Sequence, residues 1–287
     1  MPKLAPASAQ RTPPVEPSEE ELDALLGVVV ERTGVDLRGQ RAPMLARRAA
    51  VRLTATRSPT TEEYLARLRC DLVEPWALLE RLTIKVSRLY RDPVAFEILR
   101  ARAIPELRRA RGEGALRAWS AGCAHGQEAW GLAMLLAGSG GPWSVLATDV
   151  DRSALTRARS GRYPRAQAAD VPYDLAARWL EAGGDADVRV APALAGGVRF
   201  AAHDLASPAP PPGGGTFDLV ACRNVLMYFL PASQAEVLSR VVDRIAPDGW
   251  LLLGEAEWPP PAVERRLRVV DRRHRVFRVR AAGPGSP

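Results

Sequence analysis

The chain is poor in the residues that several common chemistries require. It holds three cysteines, Cys70, Cys123 and Cys222, an odd number at wide spacing. Neither a disulfide framework nor a paired metal motif follows from them. Cys123 and Cys222 fall at predicted strand ends and read as small apolar filler. The three histidines, His125, His203 and His274, are just as scattered, so no metal site is expected. Lysine is nearly missing: Lys3 and Lys85 are the two present, and arginine carries the rest of the positive charge. No apolar run approaches the roughly 18–20 residues that a membrane span needs. The longest runs, at 132–137 and 250–253, are flanked by small or polar residues, so no membrane insertion is expected. The first residues lack a charged-then-apolar leader and are rich in proline, alanine and serine. Residues 1–17 therefore read as a disordered lead-in, and the cytoplasm is the expected location.

What is present suits a folded, two-part protein. The 287 residues are 47% hydrophobic, enough for one large domain and one small one. The formal net charge is +7. Such a balance favours acidic partners, although arginine standing in for lysine through coding bias gives the same total. The distribution of charge is therefore more informative than its sum.

Helical signals dominate the first part. Ser18-Glu-Glu-Glu-Leu22 opens a helix to Arg32, with a serine cap, acids in the first turn and Leu22, Leu25, Leu26 and Val29 at helical spacing. A second helix over 42–56 places Leu45, Ala49 and Leu53 inward and Arg47, Arg48 and Arg52 outward. Thr60-Thr-Glu-Glu63 caps a third, and 76–82 carries a fourth. Residues 18–84 are expected to form an all-α domain, followed by a linker helix within 85–115. From residue 116 the pattern changes. β-prone runs at 116–120, 144–148, 217–222 and 250–254 alternate with helical stretches. That alternation argues for an α/β domain over 116–280 with a largely parallel sheet. Between 164 and 200 the pattern is irregular; 185–190 and 197–200 are expected to form short antiparallel strands of a small inserted β-subdomain. Phe277-Arg-Val is expected as a last, edge strand, and 281–287 as a tail.

Three strand ends carry polar groups suited to a nucleoside. The first, Trp119-Ser-Ala-Gly-Cys-Ala-His-Gly-Gln-Glu128, is a strand-to-helix turn with Gly122 and Gly126. It is neither a dinucleotide fingerprint nor a P-loop. Glu128 in the first helical turn disfavours phosphate and favours a cationic or hydroxyl-bearing ligand. The second strand ends at Asp149, placed to accept hydrogen bonds from ribose hydroxyls. The third ends in Cys222-Arg-Asn-Val-Leu-Met-Tyr-Phe229. A ribose, no phosphate and a positive centre describe S-adenosylmethionine.

These segments, with 155–163, 198–205 and Leu252-Leu-Gly-Glu-Ala-Glu257, resemble the CheR family of chemotaxis-receptor glutamate methyltransferases over about residues 20–280. The resemblance implies a Rossmann-like S-adenosylmethionine-dependent methyltransferase domain with a small inserted β-subdomain, preceded by an all-α helical domain. It implies that Gly122, Glu128, Asp149, Asp204, Leu205, Arg223 and Asn224 line the cofactor, together with Lys85, Ser87 and Arg91. It places Glu128 near the methionine end, Asp149 at the ribose, and Asp204 and Leu205 near the adenine. Arg91 and Tyr90, near an interdomain cleft, are candidates for positioning the substrate carboxylate. Arg47, Arg48, Arg52 and Arg57 are candidates for docking on the cytoplasmic helical domain of a chemoreceptor. S-adenosylhomocysteine is the implied product, no nucleic acid is expected, and a monomer suffices.

The chain also departs from the family pattern. Lys85-Val-Ser-Arg-Leu-Tyr-Arg91 stands where Asn-x-Thr-x-Phe-Phe-Arg is usual, and Gly126-Gln-Glu-Ala-Trp-Gly131 where Gly-Glu-Glu-Pro-Tyr-Ser is usual. These changes leave open a non-catalytic member that binds cofactor or partner. A methyltransferase acting on another substrate is a third reading.

Overall fold

The computed structural model describes residues 16–33, 35–82 and 87–280. Most of the lead-in, the tail at 281–287 and Lys85 lie outside the described residues. The chain divides into two compact units, one ending at Thr83 and the other beginning at Ile84. No helix among the described residues is long and apolar enough to cross a membrane.

The first unit is all helical: α1 (Glu19–Thr33), α2 (Ala42–Thr56), α3 (Thr61–Cys70) and α4 (Glu74–Leu82). A reciprocal capping box starts α1, because Ser18 Oγ accepts the Glu21 N–H at 3.2 Å and Glu21 Oε2 accepts the Ser18 N–H at 2.7 Å. The Thr60 hydroxyl caps α3 through the Glu63 N–H. Leu25, Val29, Leu45, Ala49, Leu68, Leu78, Leu79 and Leu82 are fully buried. They interleave at helical spacing from all four elements.

One expectation about this unit is corrected. Arg52 does not face outward. Its guanidinium donates to both oxygens of buried Glu74, Nε to Oε1 and Nη2 to Oε2, each at 2.7 Å. The Tyr64 hydroxyl donates to Glu74 Oε1 at 2.6 Å. Arg48 donates to the Leu82 carbonyl and is half-buried. A carboxylate enclosed by apolar helices needs a charged partner, and position 52 is the one that reaches it. Arg47 and Arg57 remain exposed.

The second unit opens with α5 (Pro93–Ile98), a π-helical turn over Leu99–Ala103, and α6 (Ile104–Arg111). The elements that follow are β1 (Leu116–Ala121), α7 (Gln127–Gly138), β2 (Trp143–Asp149), α8 (Arg152–Ser160), β3 (Arg162–Pro164), α9 (Tyr173–Trp179), β4 (Leu180–Ala182) and β5 (Asp187–Val190). Then come β6 (Val198–Ala202), β7 (Phe217–Cys222), α10 (Pro231–Val242), β8 (Ile245–Leu253), α11 (Pro261–Glu264), β9 (Leu267–Asp271) and β10 (Val276–Val279).

Seven strands form one Rossmann-like sheet in the order β6-β2-β1-β7-β8-β10-β9. The five from β6 to β8 are parallel, and β10 runs antiparallel to both neighbours. Alternate residues serve opposite faces, as the pleat requires. Ala118, Val145, Ala147, Leu219, Ala221 and Leu252 pack against α5 to α8. Trp119, Ala121, Leu146, Val220, Cys222 and Leu251 pack against α10.

Two strand assignments differ from the sequence reading. Val198–Ala202 belongs to the main sheet, parallel to β2 with Val145 opposite Val198 and Asp149 opposite Ala202. The small sheet is β3-β5-β4, antiparallel, and it ends at Val190. A five-residue β-prone run carries no mark of direction, so its parallel pairing was not visible. The edge strand is β9 rather than Phe277-Arg-Val, because β10 pairs with β8 on one side and β9 on the other.

Candidate functional site

The sheet reverses its winding between β1 and β7. The chain moves outward through β1, β2 and β6, then returns to β7 and continues outward through β8. Ligands in such sheets sit beyond the carboxyl ends of the strands at this switch point. The pairings Asp149 with Ala202 and Cys222 with Leu253 put those ends at one edge.

The turn after β1 is bound to β2. The N–H groups of Gly122 and Cys123 both donate to the Thr148 carbonyl at 2.8 Å. Gly122 has φ 80°, and a Cβ there would come within 2.4 Å of Val225. Gly126 has φ 85°, and its Cβ would meet Ala158 at 2.7 Å. Only glycine fits both conditions. Asp149 orders the same corner. Its Oδ2 accepts the Ala124 N–H at 2.8 Å and its Oδ1 accepts the Asp151 N–H at 3.0 Å. The Asp149 carbonyl accepts from His203 N–H at 3.1 Å, which brings the segment after β6 alongside. Asp204 Oδ1 accepts the Ala206 N–H at 2.8 Å, and Leu205 is buried in the α10-side core.

A second group gathers at the β7 end. Arg223 is buried. Its guanidinium lies 3.6 Å from Glu128 Oε2 and 3.6 Å from Asp92 Oδ2, and it donates to the Arg91 carbonyl at 2.8 Å. Its Nε is buried with no hydrogen-bond partner. Ser120 Oγ, fully buried on β1, donates to Glu128 Oε1 at 2.8 Å. Burial pushes the Glu128 carboxyl above its ordinary range, against the pull of Arg223, Ser120 and Arg91. The Arg91 side chain is exposed. Asn224 takes a left-handed conformation, φ 58°.

Of the residues expected here, the structure brings Gly122, Asp149, Asp204 and Leu205 to one corner and Arg91, Glu128, Arg223 and Asn224 to the other. Ser87 is half-buried at the start of the segment that leads to Arg91. Tyr90 is a correction. Its ring is fully buried on Phe96, centroids 4.4 Å apart, and its nearest charged groups are Glu97, Arg100 and Asp174. An aromatic ring this apolar packs inward when an aliphatic or aromatic partner is available, so Tyr90 does not present its hydroxyl to a substrate. Cys123 and Cys222 are buried, and burial pushes both thiols well up, away from nucleophilic chemistry.

One site residue was missed as such. Glu257 is buried, and its Oε2 accepts the N–H groups of Asn224 at 2.8 Å and Gly254 at 2.7 Å, while Oε1 accepts from Met227 at 3.3 Å. It ties the loop after β8 to the loop after β7. The sequence shows two acids, Glu255 and Glu257, and nothing in the run says that Glu255 is exposed and Glu257 turned in.

The donors present fit S-adenosylmethionine. Glu128 offers a carboxylate suited to an ammonium group, the Arg223 guanidinium beside it is suited to a carboxylate and keeps a buried Nε without a partner, and the Asp149 carboxylate at the end of β2 is suited to ribose hydroxyls. The comparisons agree. Residues 85–276 match the family described as CheR methyltransferase, SAM binding domain, and residues 20–83 match CheR methyltransferase, all-alpha domain. A chemotaxis protein methyltransferase of Salmonella typhimurium is 30% identical over 254 residues, covering 84% of this chain and 84% of that protein. Its namesake in Escherichia coli is 32% identical over 240 residues, covering 80% and 81%. An uncharacterized 104.1 kDa protein of Rhodobacter capsulatus is 34% identical over 248 residues, which are 84% of this chain and 25% of that relative. This chain thus spans about a quarter of that relative's length. With both of its units matched in order, the chain belongs to the CheR methyltransferase family, and S-adenosylmethionine is the cofactor of its larger domain.

Proposed function

We propose that this chain transfers methyl groups from S-adenosylmethionine to glutamate side chains in the cytoplasmic helical domain of chemoreceptors, forming glutamyl methyl esters. The observation that carries this reading is the exposed Arg91 guanidinium beside half-buried Glu128 and buried Arg223 at the carboxyl ends of β1 and β7. An exposed arginine beside a cofactor pocket suits a carboxylate acceptor. The names of the Salmonella and Escherichia coli relatives support the chemotaxis setting.

When bound, the cofactor would supply an electrophilic methyl on a sulfonium, to which a carboxylate oxygen would bond in line as the S–CH3 bond breaks and its electron pair stays with the departing thioether. An acceptor glutamate is ionised near neutral pH, its reference pKa being about 4.3. No proton has to be removed, so no general base is needed. The chain's residues then act by holding and aligning. Asp149 is assigned to the ribose hydroxyls, and Asp204 and Leu205 to the adenine end. Glu128 and Arg223 are assigned to the ammonium and carboxylate of the methionine end, with Asn224 beside them. Arg91 is assigned to the acceptor carboxylate. In the helical unit, exposed Arg47 and Arg57 are assigned to receptor docking, and the reaction is assigned to the cytoplasm.

Calorimetric titration with S-adenosylmethionine and S-adenosylhomocysteine, with Asp149→Ala as control, tests the pocket. Tritiated methyl transfer to a purified chemoreceptor cytoplasmic fragment tests the reaction, and release of the label by mild base identifies an ester. Binding without transfer would replace the enzyme reading with a regulatory one. No binding at all would remove both.

A further inference from the structure

We propose that an amide pair, buried Gln127 with half-buried Gln167, seats the strap of residues 88–92 on α7 and thereby positions Arg91 toward the acceptor carboxylate. The proposal rests on the methyl-transfer reading and adds two positioning residues to it.

Gln127 is the first residue of α7 and is only 2% exposed. Its Nε2 donates to Gln167 Oε1 at 3.0 Å. Gln167 sits in the single 3-10 turn, Arg165–Ala168, that follows β3 of the small sheet. The Gln167 carbonyl in turn accepts the Leu89 N–H at 2.9 Å. One residue earlier, Arg88 pairs with Asp170 at 2.9 Å. The strap is therefore bonded, at its start, to the segment joining the small sheet to α9. At its end it is bonded to the loop after β7, through the Arg91 carbonyl and Asp92. Arg91 lies between these two anchors. Its side-chain direction is set by where each anchor stands.

The seat itself is on α7. Gln127 and Gly131 are four residues apart and share one helical face. A Cβ at Gly131 would lie 2.3 Å from the Leu89 carbonyl oxygen and 2.9 Å from the Phe96 ring. The strap thus crosses α7 at van der Waals contact with its backbone, one turn past Gln127. Tyr90 is locked beneath on Phe96. Leu89 and Gly131 meet at this contact, and Gln127 joins it through Gln167.

The test uses the full chain and four variants: Gln127→Leu, Gln167→Leu, Gly131→Ala and Gln127→Glu. Three quantities are read: kcat and KM for a purified chemoreceptor cytoplasmic fragment, the Kd for S-adenosylhomocysteine, and hydrogen exchange of the peptide containing the Leu89 amide. A displacement of the strap by a fraction of an ångström is expected to lower kcat/KM by about tenfold in the two Leu variants and in Gly131→Ala, with Kd changed by less than about twofold. The Leu89 amide is expected to lose protection in the same three. Gln127→Glu, which can still bond a flipped Gln167 amide, is expected to recover protection and most of the turnover. Wild-type kcat/KM in Gly131→Ala or in either Leu variant would overturn the proposal. So would a rise of Kd by the same factor as the fall in kcat/KM, which would assign these residues to the cofactor or to general stability. Should Gly131→Ala fail to fold, Gln167→Leu decides, since it removes one side-chain bond and keeps the carbonyl. If the wild type transfers no methyl, the functional reading fails by itself; unchanged Leu89 protection in Gln127→Leu then sinks the strap proposal separately.

Discussion

Each unit of the molecule buries an arginine against acids, and the two clusters are built differently. In the helical unit Arg52 grips Glu74 with two bonds of 2.7 Å, and Tyr64 completes the carboxylate's shell at 2.6 Å. Every member is engaged by another. In the methyltransferase unit Arg223 stands 3.6 Å from each of two carboxylates and keeps a buried Nε without a partner. Low dielectric makes an unmatched donor costly, so a cluster left in that state is stable only because the surrounding fold supplies the difference. The closed cluster is architecture. The open one is the cluster that the proposed function assigns to the cofactor's own charges.

That contrast can be broken from either side. The largest expected effect is on the closed cluster. Glu74→Ala strands the Arg52 guanidinium and the Tyr64 hydroxyl, and it is expected to destabilise the helical unit by about 3–5 kcal/mol. Urea unfolding followed with a probe in each unit checks it, with S-adenosylhomocysteine affinity in the other unit unmoved. Arg223→Ala should show the reverse pattern: a smaller change in unfolding midpoint and a loss of S-adenosylhomocysteine affinity of about a hundredfold, read by calorimetry.

The open cluster is sharpened by pH. Burial holds the Glu128 carboxyl above its ordinary range. With Glu128 assigned to the cofactor's ammonium, affinity is expected to need its ionised form and to be full above that raised pKa. It is expected to fall by about tenfold per pH unit below it. Without ligand the sign is opposite: the folded chain takes up this proton more readily than the unfolded one, so the contribution to stability grows as pH falls. Gln at position 128 should remove both trends. The smallest effect belongs to the exposed charges. Arg47→Gln with Arg57→Asn, the latter because Asn tolerates the left-handed backbone at 57 (φ 56°), should change stability by less than about 0.5 kcal/mol. The same pair is expected to weaken association with a receptor fragment at low salt, measured by titration, and the difference should shrink as salt rises.

Much of this was legible in the sequence because the signals are local. The Ser18 and Thr60 caps, the glycine turn at 122–126 and Asp149 at a strand end each announce themselves within a few residues. What stayed hidden depends on distant partners. Arg52 sits at an ordinary outward position of its helix until Glu74, two helices later, is known to be buried. The Tyr90 ring looks like a site residue because its neighbour Arg91 is a candidate for one. Likewise, nothing in 197–202 tells a parallel strand from an antiparallel one. The linker reads as one helix within 85–115, and nothing in its residues marks the π turn at Leu99–Ala103 that interrupts it.

Asp149 has a further consequence. Its carboxylate is oriented by two backbone N–H groups, from Ala124 and Asp151. Its rotamer freedom is therefore given up when the chain folds, not when a nucleoside arrives. Assigned to a ribose, it would grip substrate and product cofactor with equal strength, since both carry the same sugar. Equal grip speeds no chemical step and releases nothing. Any preference for the methylated form, and any relief from inhibition by the spent one, then has to come from the sulfur's positive charge. That charge is lost on transfer, and the ammonium and carboxylate assigned to Glu128 and Arg223 are, like the sugar, common to both forms.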